Sequence, residues 1–162
     1  MNLFLVHHAD AISPAIDPQR PLSQAGLSHA QALAERARAA GVKPDVIWHS
    51  GKLRSRQTAD AFLRVCNPFA TFKMVRGLRP EDPATTMRDT LVGEDEDVML
   101  VGHMPHLPAL RMLLTGGGPF PLHGLLWLIR EGSSLSTWAR PLIEAAAFAP
   151  LREPYVTAES VP

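Results

Sequence analysis

The stretch LFLVHHADA, Leu3–Ala11, decides how this chain is read. Leu3, Phe4, Leu5 and Val6 form a short, unbroken apolar run. That pattern fits a strand buried on both faces, as in a parallel sheet, rather than a half-exposed strand with alternating polarity. The run stops at two adjacent imidazoles, His7 and His8, and meets an acid at Asp10. Ligands of open α/β sheets bind beyond the carboxyl ends of the strands. Two titratable rings at such an end therefore mark a candidate site before anything else is known.

Further along, the same arrangement recurs. A proline-rich loop over 12–21 is followed by Ser23, a helix N-cap, and by Leu27, Ala30, Leu33, Ala34 and Ala37 at helical spacing, with Gly41 as the stop. Asp45 to Trp48 reads as a second strand, ending at His49. Ser50 is expected to cap a helix running to about Val65, and Ala70 to Val75 to form a third strand. Pro80 to Pro83 is loop and Thr85 to Leu91 a short helix. Val98 to Val101 is a fourth strand, ending at Gly102-His103 and followed by a helix through Leu114 that Gly116–Gly118 terminate. Two strands, Leu122–Arg130 and Ser134–Arg140, are expected as a hairpin. Glu144 to Phe148 is read as a short helix and 151–162 as a tail.

Alternation of strands and helices implies a three-layer α/β/α sandwich around a mostly parallel, mixed sheet of about six strands. The 162 residues suit one domain, taken as residues 1–150. Lys plus Arg and Asp plus Glu both number 16. This balance argues against a broad nucleic-acid or anionic-membrane footprint, yet leaves room for a local basic pocket. The single cysteine, Cys66, rules out an intrachain disulfide and suits a reducing, cytoplasmic setting. No run approaches the roughly 20 apolar residues that span a bilayer.

His8 and His103 each end an apolar strand. Arg54 falls in the first turns of the second helix and Arg20 just before the first. Two arginines and several helix N-termini suit a phosphate. A neutral imidazole can attack phosphorus, and a second can donate to the oxygens of the transferring group. At this point four words carry a resemblance: LFLVHHADA at Leu3–Ala11, RPLSQAG at Arg20–Gly26, HSGKLRSRQTA at His49–Ala59 and VGHMPHL at Val101–Leu107. In this order and spacing they resemble the histidine phosphatase superfamily (phosphoglycerate mutase-like), and within it the small SixA-like protein-phosphohistidine phosphatases.

The resemblance implies that His8 is transiently phosphorylated, that His103 is the second pocket histidine, and that Arg54 and Arg20 bind phosphate. It implies a phosphohistidine-bearing signalling or phosphotransfer protein, or a small phosphorylated molecule, as substrate, and no metal or organic cofactor. Asp10, His49, Ser50 and His123 are candidate pocket-lining residues. Glu81 and Asp82 are candidates for a general acid, although the SixA-like pattern lacks one. Cleaving a P–N bond releases imidazole, a far better leaving group than an alkoxide, so the lack is tolerable.

Two departures stand out. The first word of the superfamily ends Arg-His-Gly, whereas this chain has His7-His8-Ala9. His7 can bind phosphate only as a weaker, titratable substitute for arginine, which suggests a preference for mildly acidic pH. Ala9 is strained if its φ is positive. The missing arginine motivates an alternative, a degenerate module that binds a phosphorylated partner without turnover. A metal-dependent hydrolase built on His7, His8, Asp10 and His103 is a third reading. Strand alternation, which points neighbours to opposite faces, argues against it.

Overall fold

A computed structural model describes residues 1–130 and the backbone of 146–148. The strands are β1 (Asn2–His7), β2 (Val46–His49), β3 (Thr71–Met74), β4 (Val98–Gly102), β5 (Leu125–Ile129) and β6 (Ala146–Phe148). The helices are α1 (Gln24–Ala39), α2 (Leu53–Cys66), α3 (Ala84–Val92) and α4 (His106–Thr115). One sheet runs in the order β3-β2-β4-β1-β5-β6. β3, β2, β4 and β1 pair in parallel, while β5 lies antiparallel to both β1 and β6. The mixed, mostly parallel sheet matches the expectation.

β1 is central because its residues alternate between two cores. Phe4 and Val6 pack with Leu33, Ala34, Ile47, Phe62 and Val101 beneath α1 and α2. Leu3 and Leu5 pack with Trp48, Leu91, Leu100, Leu107 and Leu110 beneath α3 and α4. Both faces of the strand are therefore dry, which is why its apolar run is continuous. Register then brings the functional ends together. His7 lies opposite Gly102, and His49 opposite Val101, so β1, β2 and β4 finish along one edge.

Three elements differ from the reading of the sequence. Within the expected helix Glu144–Phe148, the described residues Ala146–Phe148 form β6, paired with Leu125–Trp127, rather than helix. A strand partner overrides the helical preference of its alanines. β5 starts at Leu125 rather than Leu122, because a turn through His123, at φ 48°, precedes it. α2 starts at Leu53, two residues beyond Gly51, whose φ of 86° breaks the chain away from Ser50. The expected strand Ser134–Arg140 and the tail lie outside the described residues. Cys66 is buried, and burial pushes its thiol up to about 11, as suits a small hydrophobe.

The loop that follows the site is clamped by α1. Ser23 caps the helix, its Oγ accepting from Gly26 N at 3.0 Å. The Ser23 hydroxyl donates to Asp10 Oδ2 (2.7 Å), and its N–H to the Asp10 carbonyl (3.0 Å). Gly26 lies against that carbonyl so closely that a Cβ would fall 2.0 Å from the oxygen. Gly26→Ala is therefore expected to lose roughly 1–3 kcal/mol or more of stability in urea unfolding. Gly93→Ala, with ordinary space and ordinary φ, should stay within about 0.5 kcal/mol. Equal stability of the two variants would show that α1 does not seat on Asp10.

Candidate active site

His8 follows the last residue of β1 and continues its ladder by one bond, N–H to the Gly102 carbonyl at 3.1 Å. Its Nδ1 lies 2.7 Å from the Ala9 carbonyl. A carbonyl can only accept, so Nδ1 carries the hydrogen and the lone pair of the neutral ring is at Nε2. That lone pair accepts from Arg54 Nε at 3.2 Å. Burial, then the charges of Arg54, His123 and Arg20, hold the His8 pKa down at about 4, against the opposing pull of the Ala9 carbonyl. The ring is thus neutral near pH 7.

α2 supplies the rest of the frame from one face. Arg54 reaches His8. Thr58, one turn on, accepts the Ala9 N–H at 3.1 Å and donates to the Arg54 carbonyl at 2.8 Å. Gln57 Oε1 accepts the Leu22 N–H at 2.7 Å, tying down the segment beside Arg20. Arg20 itself, at φ 50°, donates from Nε to the Ile12 carbonyl at 3.2 Å, and its charge is felt at both His8 and Arg54. Gln57 and Thr58 belong to the same word, HSGKLRSRQTA, as Arg54. The helical spacing from Arg54 was the signal that could have found them.

His103, just beyond β4, is 1 % exposed, with its ring 5.0 Å from that of His8. Its Nε2 lies 2.6 Å from Ser50 Oγ, and its Nδ1 has no hydrogen-bond partner. Burial, with help from His8, Arg54, Lys52 and His7, lowers its pKa to about 2. Ser50 is accordingly not the helix cap: Lys52 takes that position, and Ser50 Oγ holds the Lys52 N–H and the His103 ring. Beside Ser50 opens a hollow of about 440 Å³, lined also by Met74, Val75, Arg76, Arg79 and Asp82.

The remaining expectations divide. His123 joins the pocket: its ring stacks on His7 at 4.7 Å and 7°, and its Nδ1–H donates to the His8 carbonyl at 2.5 Å. His7 is buried and packs 4.5 Å from His8, with Nδ1 accepting the His123 N–H at 2.9 Å. Burial and its neighbours lower its pKa to about 3, so it enters the pocket neutral. Ala9 is unstrained, since the only non-glycine residues at positive φ among those described are Arg20 and His123.

His49 does not line the pocket. Its ring lies against Phe72 at 4.9 Å and its Nδ1 accepts the Gly51 N–H, because β2 alternation turns it toward the side where Ile47 packs. Asp10 is exposed and holds Ser23 rather than a pocket ring. Glu81 is exposed and reaches the site only as a charge that steadies protonated Arg54. Asp82 accepts the Arg79 N–H at 2.9 Å at the start of a short turn, on the wall of the neighbouring hollow. No described hydrogen bond joins either carboxylate to His8, Arg54 or His103.

Comparison with known proteins agrees with this geometry. The sequence profile of the histidine phosphatase superfamily (branch 1) matches residues 8–79. Among solved structures, the chain is similar to the candidate phosphohistidine phosphatase SixA from Agrobacterium tumefaciens. Identity is 26 %, covering 80 % of this chain and 91 % of that one, with a TM-score of 0.70. Its fold is also that of the protein histidine phosphatase SixA complexed with tungstate (21 % identity, 83 % and 91 % covered, TM-score 0.72). The candidate phosphohistidine phosphatase SixA from Nakamurella multipartitia is similar again (21 %, 93 % and 96 %, 0.70). No curated protein matches the sequence. The resemblance to the histidine phosphatase superfamily, SixA-like proteins included, therefore holds in both sequence and fold. The profile begins at His8 and takes in Arg20 and Arg54. His103 lies beyond it and is brought to the pocket by the fold.

Three buried neutral histidines make stability depend on pH. Unfolded histidine takes a proton near pH ~6.5, whereas His7, His8 and His103 resist it to about 3, 4 and 2. Between those values the unfolded chain binds more protons, so stability is full above pH ~6.5 and lost as pH falls. At least about 2 kcal/mol should disappear between pH 7 and pH 5, one histidine's worth. Urea midpoints in metal-free buffer measure this, and a flat profile would mean that the rings are solvated.

Proposed function

We propose that this chain is a phosphatase that removes phosphate from phosphohistidine on a signalling or phosphotransfer protein, through a covalent intermediate on His8. One observation carries the reading. The Ala9 carbonyl takes the Nδ1 hydrogen of His8, leaving the Nε2 lone pair beside the Arg54 guanidinium.

The chemistry follows from that placement. A phosphoryl group entering the pocket takes over the Arg54 donors, which releases Nε2 from its hydrogen bond. Nε2 attacks phosphorus in line. A bond forms between phosphorus and Nε2, the bond to the substrate imidazole breaks, and the departing nitrogen takes up a proton from solvent water. Water then attacks phosphorus, the bond to Nε2 breaks, and inorganic phosphate leaves. Arg54 and Arg20 carry the charge of the transferring group, and a hydrogen on His103 Nδ1 can meet one of its oxygens. Neither Glu81 nor Asp82 is hydrogen-bonded into the pocket, which favours a leaving group that needs little acid assistance. The superfamily match and the SixA-like neighbours support a phosphatase.

The test uses phosphohistidine-labelled protein as substrate, in chelator, with early quenching. Acid-labile phosphate on His8, its absence in His8→Ala, and release of free phosphate are expected. Binding without release favours the alternative of a non-catalytic phosphoprotein-binding module, motivated by the arginine that His7 replaces.

His7→Arg restores a fixed charge and a bidentate donor. A charge-assisted hydrogen bond is worth about 1.5–3 kcal/mol, so kcat/KM should rise by roughly tenfold or more. A clear fall in a folded His7→Arg variant would show that the neutral imidazole has a task of its own.

A further inference from the structure

Regular strand alternation would point His7 and His8 apart and argue against their sharing an ion. In the structure β1 ends at His7 and His8 is already beyond it. His7, His8 and His123 each offer one ring nitrogen, and these nitrogens lie within 4.8 Å of one another. We propose that these three histidines form a binding site for a zinc-like divalent cation, and that its occupancy stops phosphoryl transfer by capping His8 Nε2.

The tautomers favour this. His8 and His123 both give their Nδ1 hydrogen to a backbone carbonyl, of Ala9 and of His8. Each therefore presents a lone pair at Nε2, with the carbonyl as the outer partner that orients a ligating ring. His7 has its lone pair at Nδ1, where it accepts the His123 N–H. A cation at that nitrogen displaces one backbone donor, so His7 is the weakest of the three ligands. Ligands of a tetrahedral zinc sit about 3.3 Å apart, at metal–nitrogen distances of about 2.0–2.1 Å. The rings lie at centroid distances of 4.5 to 5.9 Å, and the stacked His7–His123 pair, parallel to within 7°, must tilt before both in-plane lone pairs meet one ion. Three imidazoles with no carboxylate select a borderline-soft ion over Mg²⁺ or Ca²⁺.

Opposition comes from charge. Arg54 Nε occupies the His8 lone pair at 3.2 Å, and the Arg20 charge reaches the same ring. The cation must displace the first and tolerate the second. Substitution of the arginine expected at position 7 by a neutral ring removes what would have been a third repelling charge.

The inhibition, though not the binding, rests on reading His8 as the nucleophile. Calorimetry of Zn²⁺ into the full chain at pH 7.5 tests binding without reference to activity. One equivalent is expected, with inorganic phosphate weakening it and Mg²⁺ leaving it unchanged. His123→Asn, which suits a positive φ, should weaken zinc at least tenfold. His7→Asn, which keeps an acceptor for the His123 N–H, should weaken it less, and His29→Ala, on α1 outside the cluster, not at all. Circular dichroism establishes that each variant is folded. No saturable binding up to about 0.1 mM free zinc, or equal affinity in folded His123→Asn, overturns the site. Zinc bound as described without any phosphatase turnover in chelator sinks the functional reading but leaves the site standing. Turnover that zinc does not inhibit sinks the inhibition.

Discussion

The hydrogen bond from His8 Nδ1 to the carbonyl of Ala9 is the constraint on which the pocket depends. It is local, between adjacent residues, yet it decides where the lone pair of the ring lies. Everything around it keeps that carbonyl in place. Thr58 holds the Ala9 N–H, Asp10 is fastened to the start of α1, and Gly26 leaves no room for the segment to shift. The buried faces of β1 fix where His8 begins, and the helix that carries Thr58 also carries Arg54. Tautomer and anion donor are therefore set by a single packing arrangement rather than by separate ones.

The sheet was legible because β1 and β4 are apolar on both faces, a pattern that only a covered parallel sheet tolerates. His8, Arg54 and His103 followed because strand ends and helix starts converge on one edge. What failed to read out was the rotation of individual side chains. His49 and Ser50 are sequence neighbours at the end of β2, but strand alternation turns the first toward Phe72 while the second meets His103. The start of α2 was misplaced because Ser is a good cap residue, and nothing in the letters shows that Gly51 takes a left-handed turn first. Strand alternation made His7 and His8 seem to face apart, but the ladder ends at His7, and beyond it the two rings come to 4.5 Å.

His123 shows a different limit. It becomes a pocket residue only through the antiparallel register that sets Leu125 opposite Val6, with His7 N–H reaching the Gly124 carbonyl at 3.0 Å. Register between strands more than a hundred residues apart depends on total packing, not on local spacing. Likewise Glu144 to Phe148 has the alanines of a helix, and only the free edge of β5 explains why part of it is a strand.

A neutral imidazole with a fixed lone pair is both a nucleophile toward phosphorus and a ligand for a soft cation, so the same tautomer control serves either outcome. What separates them is the surrounding charge. Arg54 and Arg20 favour an anion and repel a cation, and an arginine at position 7 would tilt the balance further. With His7 neutral and stacked on His123, the pocket has two guanidiniums facing three lone-pair-bearing rings of the cluster. In the proposed cycle, phosphate would be favoured when Arg54 points its donors inward. The proposed cation would be favoured when Arg54 swings away from His8 Nε2. On the proposed readings, a neutral ring in place of the arginine that the resemblance implies at position 7 would weaken the hold on phosphate and the barrier to a cation together, since both follow from one positive charge.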